Sequence, residues 1–330
     1  MIVRPIAAAA LLATACTAPP AVQAADAVAG TMLVANKRAN TLVRVDLSTG
    51  EKTHEVATCA NPHELAVSPD RTHVALACYS GQELEILRTS DLVAVKHIEL
   101  AEDARPHGVV WHANGTLFAS AEGRGSIFAV EAPLSDSPRV REIGGGEPPG
   151  PHMVVVDEAG AFAWGTIIPT GTVVRYDLAA GREAGRKVLG GQTEGIALTP
   201  DRSALWVGAN RAAKVYRLDP DTLEVEVEIA TGPVPIRVAA HPEGGWVVSS
   251  NSGEGGLTVI DAGTSTVARS VPVSGDQGRQ QVTLVFSDDG ERLYAAETAT
   301  QTVAEIDFAS GKVLRRLPSG DGGDGLEVFE

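Results

Sequence analysis

The sequence predicts an all-β fold, a seven-bladed β-propeller with four antiparallel strands in each blade. Two observations lead there. The first is a hairpin unit: residues 61–80 hold an apolar run, a Pro/Asp turn and a second apolar run ending in polar residues, and the same plan returns from Arg105, Gly150, Thr193, Pro235 and Gln281. The runs alternate and carry Val, Leu, Ala and aromatic residues, as half-buried strands do. Their second strands begin near Met32, Val74, Leu117, Ala163, Leu205, Val247 and Leu293, at intervals of 42 to 46 residues. A four-stranded unit repeating every ~40–45 residues is the signature of a propeller blade, and seven units are present. The second observation is that the first blade lacks its first strand, while the tail 324–329 matches the pattern of the first strand at 194–199. The C-terminal strand is therefore expected to complete the N-terminal blade and close the ring, which removes the ends a linear array would leave exposed.

Taken in order, residues 1–24 read as an export signal: Arg4 gives the positive start, residues 6–15 an apolar stretch, and Val22-Gln23-Ala24 a small-residue cleavage site. That stretch is too short to span a bilayer, and a lipid anchor at Cys16 has a weaker match. The mature protein, 25–330, is expected to be a single propeller domain in the periplasm or outside the cell. It opens with strands at 31–35, 41–46 and 52–58, the second to fourth strands of blade 1. In the hairpin turns Pro69 and Pro200 pre-set φ, Asp70 and Asn114 tolerate the turn, and Gly115, Gly160, Gly244 and Gly290 supply positive φ. Arg71 and Arg202 stand where two copies lack that glycine. Third strands end on Asp46, Asp177, Asp219, Asp261 and Asp307, one position before a turn. A carboxylate there accepts backbone N–H bonds of the turn, so these aspartates are read as structural.

Composition narrows the partners. The chain is 44% hydrophobic but 4% aromatic, which suits thin strands packed by Val and Ala. Its net charge is −15, with 27 bases and 42 acids, and loss of Arg4 with the signal makes it −16. Such a charge repels nucleic acid and anionic membrane surfaces, and no basic run offsets it. Neither nucleic-acid binding nor membrane insertion is expected, and the protein is expected to be a monomer. Two cysteines remain in the mature chain. Cys59 and Cys78 lie toward the same end of one blade, so an oxidising compartment favours a disulfide. A metal site formed by Cys59, His63 and Cys78 is the alternative.

Phrases such as AVSPDRTHVALAC, ALTPDRSALWVGANRAAKVYRLDPDT and FSDDGERLYAAETATQTVAEIDFASG resemble the YVTN-type repeat of bacterial seven-bladed propellers, including exported YncE-like proteins. The related lactonase branch, with 6-phosphogluconolactonase, shares much of the pattern. The resemblance covers residues 30–330. It implies the fold directly, and a function anywhere from ligand or partner binding to hydrolysis of a lactone ring.

Aligning the hairpins on their turns gives one position per blade at the start of the innermost strand. It holds His63, His107, His152, Glu194, Ile236, Val282 and Asp324, with Arg237 directly after Ile236. Pro62, Pro106 and Pro151 stiffen the approach to the three histidines. In a propeller these positions surround one mouth of the channel, so the expected ligand-binding set is His63, His107, His152, Glu194 and Arg237. The ends of the second strands add Tyr79, Glu122, Asn210, Asn251 and Glu297; Lys37, Arg38, Arg124 and Arg211 read as solvated ends. Three readings stay open for the mouth. Pro-His is an acceptable strand start with a purely structural role; the mouth binds a small molecule or protein; or it carries chemistry. In the last case His63, His107, His152 and Glu194 supply ligands for a divalent metal. Alternatively His152 or Glu194 acts as general base toward water, with Arg237 holding the oxyanion of a lactonase-type reaction. Trp111, Trp164, Trp206 and Trp246 read as packing between blades. No nucleophile elbow of the G-x-S-x-G type is present, which argues against a serine hydrolase.

Overall fold

Alternating strands that cannot bury a face alone must stack against their neighbours, and seven sheets of them close into a ring. A computed structural model of the chain describes residues 28–275 and 277–330, so the export segment read at 1–24 lies outside the described residues. These residues form seven antiparallel sheets of four strands each. The innermost strands are Pro62–Val67, Pro106–Trp111, Met153–Val156, Thr193–Leu198, Pro235–Ala240 and Gln281–Phe286 in blades 2 to 7. Blade 1 takes its innermost strand from the tail, Gly323–Phe329, paired antiparallel with Thr31–Asn36 in the register Met32↔Val328 and Val34↔Leu326. The ring closes as the sequence predicts.

The core is divided into seven clusters of buried hydrophobics, each shared by two adjacent blades. Met32, Val43 and Val45 of blade 1 meet Tyr294, Ala296 and Val303 of blade 7, for example. Trp164 and Trp206 are fully buried in such clusters, facing the next blade. At the hairpin turns Arg71 and Arg202 adopt φ of 61° and 58°, matching the glycines Gly115, Gly160, Gly244 and Gly290 of the other copies. The five aspartates serve their turns: Asp46, Asp177, Asp219, Asp261 and Asp307 accept backbone N–H bonds from Ser48, Ala180, Thr222, Thr264 and Ser310.

The innermost strands matter most for the site. Most of them carry a β-bulge at the start, for instance between Pro62 and Leu65, Thr193 and Ile196, and Pro235 and Arg237. A bulge places an extra residue on one side of the ladder and re-aims the side chains around it. Adjacent inner strands also come very close here. A Cβ on Gly195 would lie 2.8 Å from Arg237 Cα, and one on Gly325 would lie 2.3 Å from the His63 carbonyl oxygen. Only glycine permits that approach. Among the described residues no helix is long and apolar enough to cross a membrane.

Candidate functional site

Four aromatic rings form one continuous stack at the mouth. Tyr79 and His63 have centroids 4.5 Å apart, His63 and His107 4.7 Å, and His107 and His152 3.5 Å. The histidines come from blades 2, 3 and 4, where the equivalent strand starts put them side by side. Tyr79 joins them because it follows Cys78, whose strand pairs with the inner strand at Pro62↔Cys78.

The stack ends in a charged network. His152 Nδ1 is hydrogen-bonded to Glu122, whose other oxygen accepts the Tyr79 hydroxyl at 2.6 Å. Arg105 donates to the same hydroxyl and lies over the Tyr79 ring, 4.7 Å from its centroid. On the far side His152 Nε2 is 3.4 Å from Glu194 Oε1, too poorly aimed to count as a hydrogen bond. Glu194 is held instead by Asn210 Nδ2 at 2.6 Å and Arg237 at 2.7 Å. Arg237 spans onward to Glu64 at 2.9 Å. The network's last pair is Lys37 with Asp324, 2.6 Å apart, and Thr283 also donates to that carboxylate.

Burial sets the charge states. Burial alone would raise the Glu194 carboxyl, but His152 and Arg237 outweigh it and hold it at about 2. Burial likewise opposes charge on His152, yet Glu122 and Glu194 together raise it above the ordinary imidazole value. His152 therefore favours the imidazolium form more strongly than a free histidine, with a carboxylate on either side. Its neighbours stay neutral: burial drives His107 well below the ordinary value, and His63 down to about 4. Glu64 is pushed up by burial, reinforced by the charge of Asp324, despite Arg237 beside it.

Tautomers follow from the partners. His63 Nδ1 faces the Asn61 carbonyl at 3.2 Å, so it must donate, and a neutral ring then leaves Nε2 as an acceptor. The imidazolium of His152 carries protons on both nitrogens, and its Nε2–H is buried without an aligned acceptor. His107 Nδ1 is also buried without a partner, on a residue 1% exposed overall.

The structure thus brings together His63, His107, His152, Glu194, Arg237, Tyr79, Glu122 and Asn210. It does not bring Asn251 or Glu297 there. Asn251 is fully buried and bonds within its own blade to Ser249, Glu254 and Thr258. Glu297 is equally buried and is taken by Arg316, Thr302 and Ser274. The three imidazoles are tilted against one another, by 51° between His63 and His107 and 33° between His107 and His152, and they do not gather with Glu194 into a set of ligand atoms within 4.8 Å of one another. Among the described residues the one trio of metal-ligating side chains with ligand atoms within 4.8 Å of each other is Cys59, Cys78 and Glu85. Its two sulfurs are bonded to each other, which also separates both from His63 as a metal trio. Arg237, 5% exposed and committed to two carboxylates, is not free to hold an oxyanion. Glu194, held ionised at about 2, is a weak base toward water.

Sequence reasoning missed Glu64, Thr283 and Arg105 as members of the cluster; it placed Asp324 at the mouth without a role and read Lys37 as a solvated strand end. A signal for Glu64 existed. The position after the mouth residue holds Glu64, Gly108, Met153, Gly195, Arg237, Thr283 and Gly325 around the seven blades. Only two of these are charged, they are opposite in sign, and they pair.

No family model matches the chain, and no curated protein matches it. Solved structures do. A functionally unknown protein from Desulfotomaculum acetoxidans DSM 771 superposes with a TM-score of 0.75 at 14% identity, over 92% of this chain and 99% of that one. Catalytically inactive virginiamycin B lyase from Staphylococcus aureus, solved with quinupristin, gives 0.66 at 17% identity, over 79% and 85%. The dihydro-heme d1 dehydrogenase NirN, solved in complex with DHE, gives 0.61 at 16% identity, over 87% of this chain and 64% of that one. At these identities the likeness is one of fold.

Proposed function

We propose that this protein binds a small, uncharged, carbonyl-bearing molecule at the mouth lined by the Tyr79–His63–His107–His152 stack. The observation that carries the reading is the His152 Nε2–H. It is a cationic donor, buried without an aligned acceptor, on a side chain that keeps 12% exposure beside Glu122 at 17% and Glu194 at 11%. An unmet donor of this kind costs about 1–3 kcal/mol, which a ligand oxygen restores. The flanking carboxylates disfavour an anion, so a neutral carbonyl suits the site better than a carboxylate or phosphate. His63 Nε2 offers an acceptor to a hydroxyl or amide N–H on the same ligand, and the faces of Tyr79 and His63 offer apolar contact.

A hydrolytic reading keeps support at one point. His152 would polarise the carbonyl of a lactone, taking the part that sequence assigned to Arg237. The resemblance to YVTN- and YncE-like propellers and their lactonase relatives also supports a mouth site. The bridge between Cys59 and Cys78 and the signal-like residues 1–24 support export to the periplasm or beyond. Calorimetric titration with γ- and δ-lactones and the matching lactams tests the binding reading, with product analysis of the lactone arm. Saturable binding lost in His152→Ala is expected. Undiminished binding in that variant, or no binding across the panel, would overturn it, and turnover of a lactone selects the hydrolytic version.

A further inference from the structure

The geometry points to a second site, away from the mouth: two cysteines, a glutamate and a histidine that take a thiophilic divalent cation of the zinc class, masked by the Cys59–Cys78 bridge and uncovered when a dithiol reductant opens it. In blade 2 the register pairs Leu76↔Glu85 and Glu85↔His97 across the second, third and fourth strands. Directly opposite residues share a face, and Cys78 lies two residues beyond Leu76, so Cys78, Glu85 and His97 all project from one side. Cys59 reaches that side from the connection between blades 1 and 2. Its sulfur, the Cys78 sulfur and a Glu85 oxygen lie within 4.8 Å of one another.

The other details fit ligation. Glu85 is 4% exposed, yet among the described residues no Lys or Arg neutralises it in an ion pair; its Oε2 accepts the Cys59 backbone N–H at 2.7 Å. That bond fixes the carboxylate and leaves Oε1, which faces His97 Nε2 at 3.9 Å. The His97 side chain is 55% exposed and free to turn inward, and its other nitrogen is 3.5 Å from Glu83, an orienting partner of the kind that metal-bound imidazoles use. Two thiolates, one imidazole and one carboxylate make a four-coordinate set suited to zinc. Zinc–sulfur bonds of ~2.3 Å at tetrahedral angles need the sulfurs about 3.8 Å apart. The Cα atoms, 5.7 Å apart, reach that separation by side-chain rotation alone.

The electrons and protons balance. A thiolate of the reductant attacks one sulfur of the bridge, and its second thiol then displaces the mixed disulfide. The reductant leaves as a disulfide, and Cys59 and Cys78 are left as thiols, having gained two electrons and two protons. Binding of the dication releases the two thiol protons. With the bridge closed, neither sulfur is a thiolate and the site is off.

The test is cobalt(II) titration of full-length mature protein, phosphine-reduced and desalted without oxygen, beside the oxidised protein. One equivalent binding with a thiolate-to-cobalt charge-transfer band and tetrahedral visible bands is expected only after reduction. The isosteric Glu85→Gln and the exposed His97→Ala are each expected to weaken it roughly tenfold or more, with the circular dichroism of the reduced protein confirming the fold in each. No cobalt band in folded, reduced protein would overturn the assignment. Equal affinity in both variants would also overturn it, since the cysteines alone would then be responsible.

Discussion

Arg237 and Glu64 stand 173 residues apart in the chain, yet the guanidinium and carboxylate meet at 2.9 Å across the mouth. The same guanidinium holds Glu194 at 2.7 Å, so one buried cation serves two buried carboxylates. Replacing Arg237 by Met leaves Glu64 without its cation and Glu194 with only His152 and Asn210, and is expected to cost about 3–5 kcal/mol. Glu64 then escapes the loss only by taking a proton. Its native pKa moves further above the unfolded value, the folded state binds more protons, and the destabilisation grows as pH rises from about 5 to about 8. Urea unfolding at the two pH values reads this out. Arg237→Lys is expected to recover only part, because a point charge cannot fork between two acceptors.

The raised His152 pKa gives a second pH effect, of defined sign. Its stabilisation by Glu122 and Glu194 is complete below the unfolded imidazole value near ~6.5 and fades as pH rises through the higher folded value. His63 and His107 act oppositely: their lowered values mean that stability falls as pH drops below ~6.5, toward the folded value of about 4 for His63. Histidine-resolved NMR is expected to show one imidazole titrating above the ordinary value and two far below it. Glu122→Gln moves the first one down. An unshifted His152 in that variant contradicts the assigned pairing.

Gly195 gives a packing test of the close approach at the mouth. An added methyl sits 2.8 Å from the Arg237 backbone, which cannot move aside as a flexible side chain would. Gly195→Ala is expected to destabilise by about 1–3 kcal/mol and to weaken mouth binding, because it pushes apart the strands that carry Glu194 and Arg237. Thermal unfolding and titration measure the two effects.

Ring closure is testable by truncation. Removing residues 323–330 strips the partner from Thr31–Asn36, opens the cluster between blades 7 and 1, and deletes Asp324 from beneath Lys37. The truncated chain is expected to lose cooperative unfolding and to associate through the exposed edge, visible by size-exclusion chromatography.

Much of this was legible in the sequence, and the limits have a physical cause. Strand alternation and turn chemistry are local, so hairpins, turn aspartates and the matching tail could be read directly. Arg71 and Arg202 mark the same left-handed turn position as the glycines, because the repeat overrides the residue's own preference. The mouth histidines were legible because the repeat period brings equivalent positions together. Glu64 shares the repeat position of Arg237 but was passed over, because simple alternation assigns it and His63 to opposite faces, and the bulge between Pro62 and Leu65 breaks that rule. Asn251 and Glu297 stand one residue before the position of Tyr79 and Glu122: they pair with the first residue of the inner strand, as Cys78 and Ala121 do, so alternation turns their side chains to the other face of the sheet.

The most direct measurement of the central claim is histidine-selective NMR of the protein titrated with a neutral lactone or lactam. The account predicts a saturable shift of the His152 Nε2–H, with smaller ring-current changes at His63 and His107. His112 and His241, bonded to carbonyls in turns at the far end of the blades, stay still. Saturable binding that leaves His152 unmoved would contradict it.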